Sequence, residues 1–449
     1  MGIREHLHNP QTYMDAFERI YDAWIGTYKL HKAVKNDVFV RELLFKKEEF
    51  TQTLADSIKN ESFQFSPLQL KKVKIRDKYR DNYPLTFVDF LVQTVLCDYL
   101  MIYLEPKLSD NLYSFRKSKS RYNVFKDIIQ YFRQHYKIVG DKKQLDLYCY
   151  QADIANYVES IPVDESAIIW DMLEFYFIEM DLEKDDAYLR SLYRHTVRPQ
   201  LIDLEGKVFR KTIGIPFGSP MSNILYNFYV HELDYYVSSD LSVFYCRYAD
   251  DLMLIHPDAK VIEHHAAFIK DFLASRKLKI HEKKEEYTYL TIPGRPSTDF
   301  PKFKPAHKVS ILGNSIAAEG TINIKKGKLP LVFNEFKKVI YNTHRLNIKA
   351  PRSDLIKAIC SIVNQVLVGH KTDIVKNEKL QDTIRIIDDR QNLKQLDYLI
   401  ALEIAKTVTG IKGLAAFRQL PYKDLRTKYG LCSAVRLKNK GVLLHDLSI

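Results

Sequence analysis

Apolar positions recur with a helical period over residues 12–66, where Tyr13, Phe17, Tyr21, Trp24 and Tyr28 fall together. This predicts a helical N-terminal segment packed through an aromatic face. Residues 71–80 alternate cations with other side chains in a strand-like way. A helix is predicted from Val88 to Leu104, closed by Glu105-Pro106. Residues 143–161 read as a strand running into an acidic turn, 163–195 as helical and 199–213 as hairpin-like. Pro220 to Tyr236 reads as a helix entered through a Gly/Pro/Ser loop, 243–256 as a hairpin, and the chain is then helical to about 277. Past residue 330 the pattern is strongly helical, with Leu396 to Val408 a clear amphipathic stretch. No internal repeat or low-complexity linker separates these parts, so packed subdomains are expected.

The hairpin holds the most informative residues. In Phe244-Tyr-Cys-Arg-Tyr-Ala-Asp-Asp-Leu-Met-Leu-Ile255 two adjacent carboxylates sit between apolar runs, at the predicted turn. Two negative charges side by side are unfavourable unless a cation neutralises them, and Mg²⁺ shared with substrate phosphates does so. An Asp pair in a turn can also be plain turn chemistry. A second acid, Asp153, ends the aromatic run Leu147-Tyr-Cys-Tyr-Gln-Ala-Asp153. Two-metal phosphoryl transfer needs carboxylates that converge from separate elements; the competing reading of Asp153 is an N-cap. Between them, Gly214-Ile-Pro-Phe-Gly-Ser-Pro220 fixes a tight loop at a helix start. Exposed N–H groups there suit a phosphate, although a plain loop would also explain the glycines.

In this order and spacing the motifs resemble the reverse transcriptase family, particularly its bacterial branch of group II intron, retron and phage-defence enzymes. Asp153-Ile-Ala-Asn-Tyr-Val-Glu-Ser-Ile161 is similar to the first catalytic motif, and Gly214-Ile-Pro-Phe-Gly-Ser-Pro-Met-Ser222 to the Gly-x-Pro-Gln-Gly loop. Arg247-Tyr-Ala-Asp-Asp251 matches the Tyr-x-Asp-Asp box, Leu278-Lys-Ile-His-Glu-Lys-Lys284 the motif after it, and Ile311-Leu-Gly313 the primer grip. Upstream, Tyr79-Arg80 to Asp89 resembles the fingers motif and Ser114-Phe-Arg116 the Gly-Phe-Arg segment.

The resemblance implies catalytic roles for Asp153, Asp250, Asp251 and Lys284, with Lys283 as the rival lysine, and a metal set of Asp153, Ile154, Asp250 and Asp251. Nucleotide contacts fall to Lys78, Arg80, Arg116, Tyr157, Val158, Phe217 and Gly218, and the primer grip to Leu312 and Gly313. Two departures stand out. Phe217 replaces the usual Gln, and Val158 stands where an aromatic ring normally blocks a ribose 2′-hydroxyl.

Composition narrows the picture further. At 449 residues the chain exceeds one compact core. Its 68 Lys+Arg against 56 Asp+Glu give a net charge of +12, which favours a nucleic-acid partner over a merely basic protein. Cys97, Cys149, Cys246, Cys360 and Cys432 form no CxxC pair, so neither zinc nor a disulfide framework is indicated. The N-terminus lacks a signal-peptide pattern and no apolar run reads as membrane-spanning, so a cytoplasmic protein with no membrane partner is expected. Asp388 and Asp389 read as solvated rather than as part of an RNase H site.

The expected architecture is an α+β right-hand polymerase: a helical extension (1–66), fingers and an antiparallel-sheet palm (67–330), and a helical thumb and C-terminal region (331–449). By resemblance, it is an RNA-directed DNA polymerase using two Mg²⁺ ions (Mn²⁺ being an alternative) and dNTPs. It copies RNA into DNA, in antiphage defence, on a small non-coding RNA, within a homo-oligomer or a complex with a partner protein. The rival classes are a template-independent or protein-primed terminal nucleotidyltransferase and a non-catalytic RNA-binding scaffold.

Overall fold

Helix boundaries follow local chemistry. In the computed structural model, which describes residues 2–25, 45–75, 78–139, 142–182, 186–216, 218–292, 299–324, 327–368, 386–387 and 389–439, the helix Phe87–Leu104 starts at Thr86, whose Oγ1 accepts the Asp89 N–H at 3.0 Å. Ser120 and Asn123 form a capping box for Arg121–His135, whose last turn carries Arg133 and His135. Ser219 caps Pro220–Phe228, with Pro220 in the first turn. Asp389 caps Arg390–Thr409, which ends on the left-handed Gly410; Asp388 lies outside the described residues, as does Tyr28.

Two predicted helices are each divided. The 163–195 stretch becomes Ile169–Glu179 and Ala187–Val197, the second capped by the Asp186 carboxylate. The 220–236 stretch becomes Pro220–Phe228 and His231–Ser238, because the Val230 backbone leaves the helical range.

A five-stranded sheet has the order Lys304–Ala306, Glu286–Leu290, Leu147–Asp153, Asp251–His256, Phe244–Tyr248. Leu147–Asp153 is the middle strand and is buried along nearly its whole length, as an aromatic run without strict alternation requires. The pair Glu286–Leu290 and Lys304–Ala306 runs parallel, a departure from an all-antiparallel palm. The strand-like stretch 71–80 is two strands, Lys71–Ile75 and Lys78–Asn82, paired as an antiparallel hairpin.

The chain divides into two compact units, residues 1–117 with 151–253 and 263–286, and residues 118–150 with 254–262 and 287–449. In the first, helix Pro10–Ile25 packs on Lys47–Lys59 and Phe87–Leu104. Tyr13 and Phe17 are buried, and Phe17 meets Phe87 edge-on at 5.3 Å. In the second, Leu329–Leu346, Arg352–Val368 and Arg390–Thr409 enclose Phe336, Ile359, Leu396 and Ile400. Beside them in sequence runs a three-stranded antiparallel meander, Lys308–Ile311, Asn314–Ala317 and Ile322–Ile324. None of the five cysteines is part of a disulfide.

One expectation is corrected here. The segment Phe87–Lys107, with a mean hydropathy of 1.6 over its most apolar window, is long and apolar enough to cross a membrane. In the structure 61% of that window is buried by protein, because helices pack on it from several sides. Leu96, fully buried at its centre, tests this packing. Leu96→Ala is expected to cost about 2–5 kcal/mol in denaturant unfolding. Ile102→Ala, at a position 59% exposed, should stay within about 0.5 kcal/mol.

Candidate active site

The strand Leu147–Asp153 delivers its terminal carboxylate into a gap held open on both sides by backbone. The Ile154 N–H donates to the Asp250 carbonyl at 2.9 Å. On the other flank the Asp153 carbonyl accepts from His281 N–H at 2.8 Å, Ala155 N–H donates to Lys279 at 2.9 Å, and Ile154 bridges Ile280 antiparallel. Asp153 is therefore a strand-end group. The N-cap position of the short helix Tyr157–Ser160 belongs to Asn156, in a left-handed conformation.

Phe244–Tyr248 and Asp251–His256 form the predicted hairpin, with Ala249 and Asp250 as its two-residue turn. Ala249 has φ +58°, a left-handed value uncommon for a residue with a Cβ. Two-residue hairpin turns need such values to match strand twist.

Three carboxylates thus share one region with a single ammonium. Burial, then the Asp153 charge, pushes the Asp250 carboxyl up. Asp251 is open to solvent on one side, yet burial of its surroundings and the charges of Asp250 and Asp153 push it up to about 6. Lys284 Nζ lies 2.5 Å from Asp153 Oδ2, and this hydrogen bond raises the lysine further. The structure thus puts Lys284 on Asp153, and shows no such contact for Lys283. One ammonium cannot offset three carboxylates, and hard oxygen donors with excess negative charge suit Mg²⁺ or Mn²⁺. Among the described residues no three His, Cys, Asp or Glu side chains close into a ready coordination shell.

The loop at Gly214 is placed differently from the phosphate cradle that its glycines suggested. Gly214 N–H donates to Ile161 at 2.7 Å and Ile215 N–H to Val158 at 3.0 Å, so these donors are used within the fold. A Cβ at Gly214 would lie 2.5 Å from the Glu159 carbonyl oxygen, which is why glycine stands there. Gly218 is exposed with open space around it, and Phe217 lies outside the described residues. Val158 and Tyr157 are both buried, the latter meeting Tyr226 edge-on at 5.3 Å.

Arg116 is engaged within the fold. Its side chain is only 6% exposed, and it donates to Glu105 Oε1 at 2.8 Å and to the carbonyls of Ser109 (2.7 Å) and Leu112 (3.1 Å). It ties the 105–116 segment together. The side chains of Lys78 and Arg80 lie outside what the structure describes. Leu312 and Gly313, both at positive φ, form a two-residue turn between Lys308–Ile311 and Asn314–Ala317 in the second unit, where Arg121 Nη2 donates to the Leu312 carbonyl at 2.7 Å. Sequence reasoning missed Asp234, the buried partner of Arg247. The available signal was a charged Arg in an otherwise apolar strand, since such a cation needs a buried acid.

A model of the family described as reverse transcriptase (RNA-dependent DNA polymerase) matches residues 71–316. The chain belongs to the reverse transcriptase family. Its general activity is accordingly nucleotidyl transfer of the RNA-directed DNA polymerase kind. No curated protein matches the chain in sequence. Among solved structures it is similar to telomerase from Candida albicans in complex with a TWJ fragment of telomeric RNA, at 13% identity and TM-score 0.44 over 86% of this chain and 68% of that one. It is also similar to apo telomerase from Candida tropicalis, at 12% identity and TM-score 0.40 over 81% of this chain and 69% of that one. A form of the latter truncated from its C-terminal domain gives 15% identity and TM-score 0.40, over 58% of this chain and 55% of that one. At these identities and scores the likeness bears on neither substrate nor partner.

The crowding of carboxylates in this reverse transcriptase has a measurable consequence. Asp251→Asn removes one of three repelling charges, so in EDTA at pH 7 the variant should be more stable by on the order of 1 kcal/mol, after allowance for solvent screening. The folded protein keeps the Asp251 proton up to about pH 6, whereas an unfolded Asp releases it near pH 4. The Asp251 contribution to parent stability should therefore fall as pH rises between those values and level off above them, and the variant should show a smaller fall, since the raised Asp250 remains. Denaturant titrations at pH 4.5 and 7 check both; a variant no more stable than the parent at pH 7 refutes the repulsion.

Proposed function

We propose that this site copies RNA into DNA, joining a 3′-hydroxyl to the α-phosphorus of a deoxynucleoside triphosphate and releasing pyrophosphate. The observation that carries the reading is the convergence of Asp153, Asp250 and Asp251 from a strand end and a hairpin turn, with Lys284 in contact. Asp153, Asp250, Asp251 and Ile154 are the residues that would hold Mg²⁺ or Mn²⁺. Such ions, when bound, favour ionisation of the 3′-hydroxyl and offset charge on the triphosphate. Lys284, its side chain 55% exposed, is placed to donate a proton to the departing pyrophosphate.

Val158 and Tyr157 are buried, the Val158 carbonyl accepting from the Ile215 N–H of the Gly214 loop, and Gly218 leaves open space for a nucleotide near the helix start. The net charge of +12 supports a nucleic-acid partner. The narrower setting we infer is antiphage defence in the cytoplasm, with a small non-coding RNA as template and an oligomeric or two-protein assembly. What supports it is the resemblance of the motifs and of the helical C-terminal region to the defence-associated branch.

Asp153→Asn and Asp250→Asn are expected to lower labelled-dNTP incorporation by roughly 10³-fold or more while leaving the circular-dichroism spectrum unchanged. Lys284→Met should lower kcat about 10–100-fold. Digesting co-purified RNA should remove the product, and sequencing that RNA should return its complement. Undiminished synthesis by the Asp250 variant refutes the reading.

A further inference from the structure

Arg247, directly before the Tyr-Ala-Asp-Asp turn, is fully buried, and the structure uses all five of its N–H donors. Nε donates to Asp234 Oδ1 at 2.7 Å and Nη2 to Asp234 Oδ2 at 2.5 Å. The remaining donors reach the carbonyls of Asn227 (3.2 Å), Ala249 (3.2 Å) and Tyr226. Asp234 is equally buried, and its Oδ1 also accepts the Tyr245 hydroxyl at 2.7 Å. Tyr226 and Asn227 lie in the last turn of Pro220–Phe228, where helix carbonyls lack partners within the helix.

A second set of contacts reaches the same turn from another segment. Ser114 Oγ accepts the Ala249 N–H at 2.9 Å and donates to Asn227 Oδ1 at 3.0 Å, while Asn227 Nδ2 donates to the Ser114 carbonyl at 2.7 Å. Ser114 and Asn227 are fully buried. The segment before Ser114 lies along the hairpin: Arg247 N–H donates to Asn111 and Tyr113 N–H to Arg247, each at 3.0 Å. Both backbone polar groups of Ala249, the left-handed residue of the turn, are therefore held by buried side chains, one by Ser114 and the other by Arg247.

A non-glycine residue keeps such a conformation only where its surroundings over-determine it. A buried ion pair is weak support for stability as such, because apolar residues of like volume often do as well. Here the pair's spare donors go to the strained turn and to the helix behind it. We infer that Arg247, Asp234, Ser114 and Asn227 form a buried clamp that fixes the Ala249 turn and so aims Asp250 and Asp251. They are positioning residues, and the inference rests on the polymerase reading of the same site.

The clamp is tested by Ser114→Ala and Arg247→Lys in the full chain, with three readouts: dNTP kinetics, melting temperature, and Mn²⁺ binding followed by electron paramagnetic resonance. Each variant should lose about 10–100-fold in kcat and in Mn²⁺ affinity, with KM for dNTP within about threefold and the melting temperature within a few degrees. Ser114→Thr, which keeps the hydroxyl, should recover most of the loss. Adding Ala249→Gly to Ser114→Ala should recover part of it, because glycine adopts the left-handed turn without help. Wild-type kcat and Mn²⁺ affinity in Ser114→Ala, or lower melting temperatures with unchanged kinetics, overturn the clamp. If Ser114→Ala does not fold, Arg247→Lys decides by the same criteria. A wild type that binds Mn²⁺ but extends no primer defeats the polymerase reading alone, and the Mn²⁺ arm still judges the clamp. A wild type that binds no Mn²⁺ defeats both.

Discussion

The hydrogen bond from the Ile154 N–H to the Asp250 carbonyl ties a strand end to a hairpin turn, and with it brings carboxylates almost a hundred residues apart into one field. Left to electrostatics, these groups would separate, since like charges in a partly dry site repel strongly. The backbone does not allow it. Asp153 is fixed by hydrogen bonds on both of its flanks, Asp250 lies in a turn of only two residues, and Asp251 directly follows it. The repulsion therefore surfaces where it can, in carboxyl groups that hold their protons more tightly than usual and a lysine drawn onto Asp153. A protein that keeps such crowding keeps a standing affinity for cations. That property, more than any one ligand, makes the site fit for polyphosphate chemistry.

Much of this was legible in the chain because the signals were local. Aromatic and branched residues on either side of Ala249-Asp250 fit only a hairpin, and an aromatic run ending at Asp153 fits only a buried strand. The alternating cations of 71–80 were legible as strand-like, while their pairing across a hairpin came only with the structure. The helix Phe87–Leu104 was legible as a helix but not as a core element, since its apolarity all round satisfies protein or lipid equally.

What stayed hidden depended on partners distant in sequence. Arg116 looked like any motif cation until Glu105 and two loop carbonyls took its donors. Gly214 was recognisable as a special residue, but its reason is the Glu159 carbonyl pressing where a side chain would be, not a bound phosphate. The helix ends at Glu179 and Phe228 lie inside periodic apolar patterns, where periodicity does not mark where a helix stops. Asp234 fell near the end of the predicted 220–236 helix with nothing local to tie it to Arg247, whereas the structure places it in the first turn of His231–Ser238.

Taken together, the contacts around the acids close on themselves. The strand bearing Asp153 leads into Tyr157–Ser160; Val158 and Ile161 accept hydrogen bonds from Ile215 and Gly214; that loop enters Pro220–Phe228. The end of this helix accepts from Arg247, Arg247 holds Ala249, and Asp250 accepts from Ile154, which returns to the first strand. Each link is a backbone group or a fully buried side chain, so no link can shift far without leaving a polar group unpaired, at a cost of about 1–3 kcal/mol. A closed ring of such links resists displacement better than the same bonds in an open chain, because a movement at one acid must break bonds on both sides of it. This is how a fold can hold carboxylates against their own repulsion.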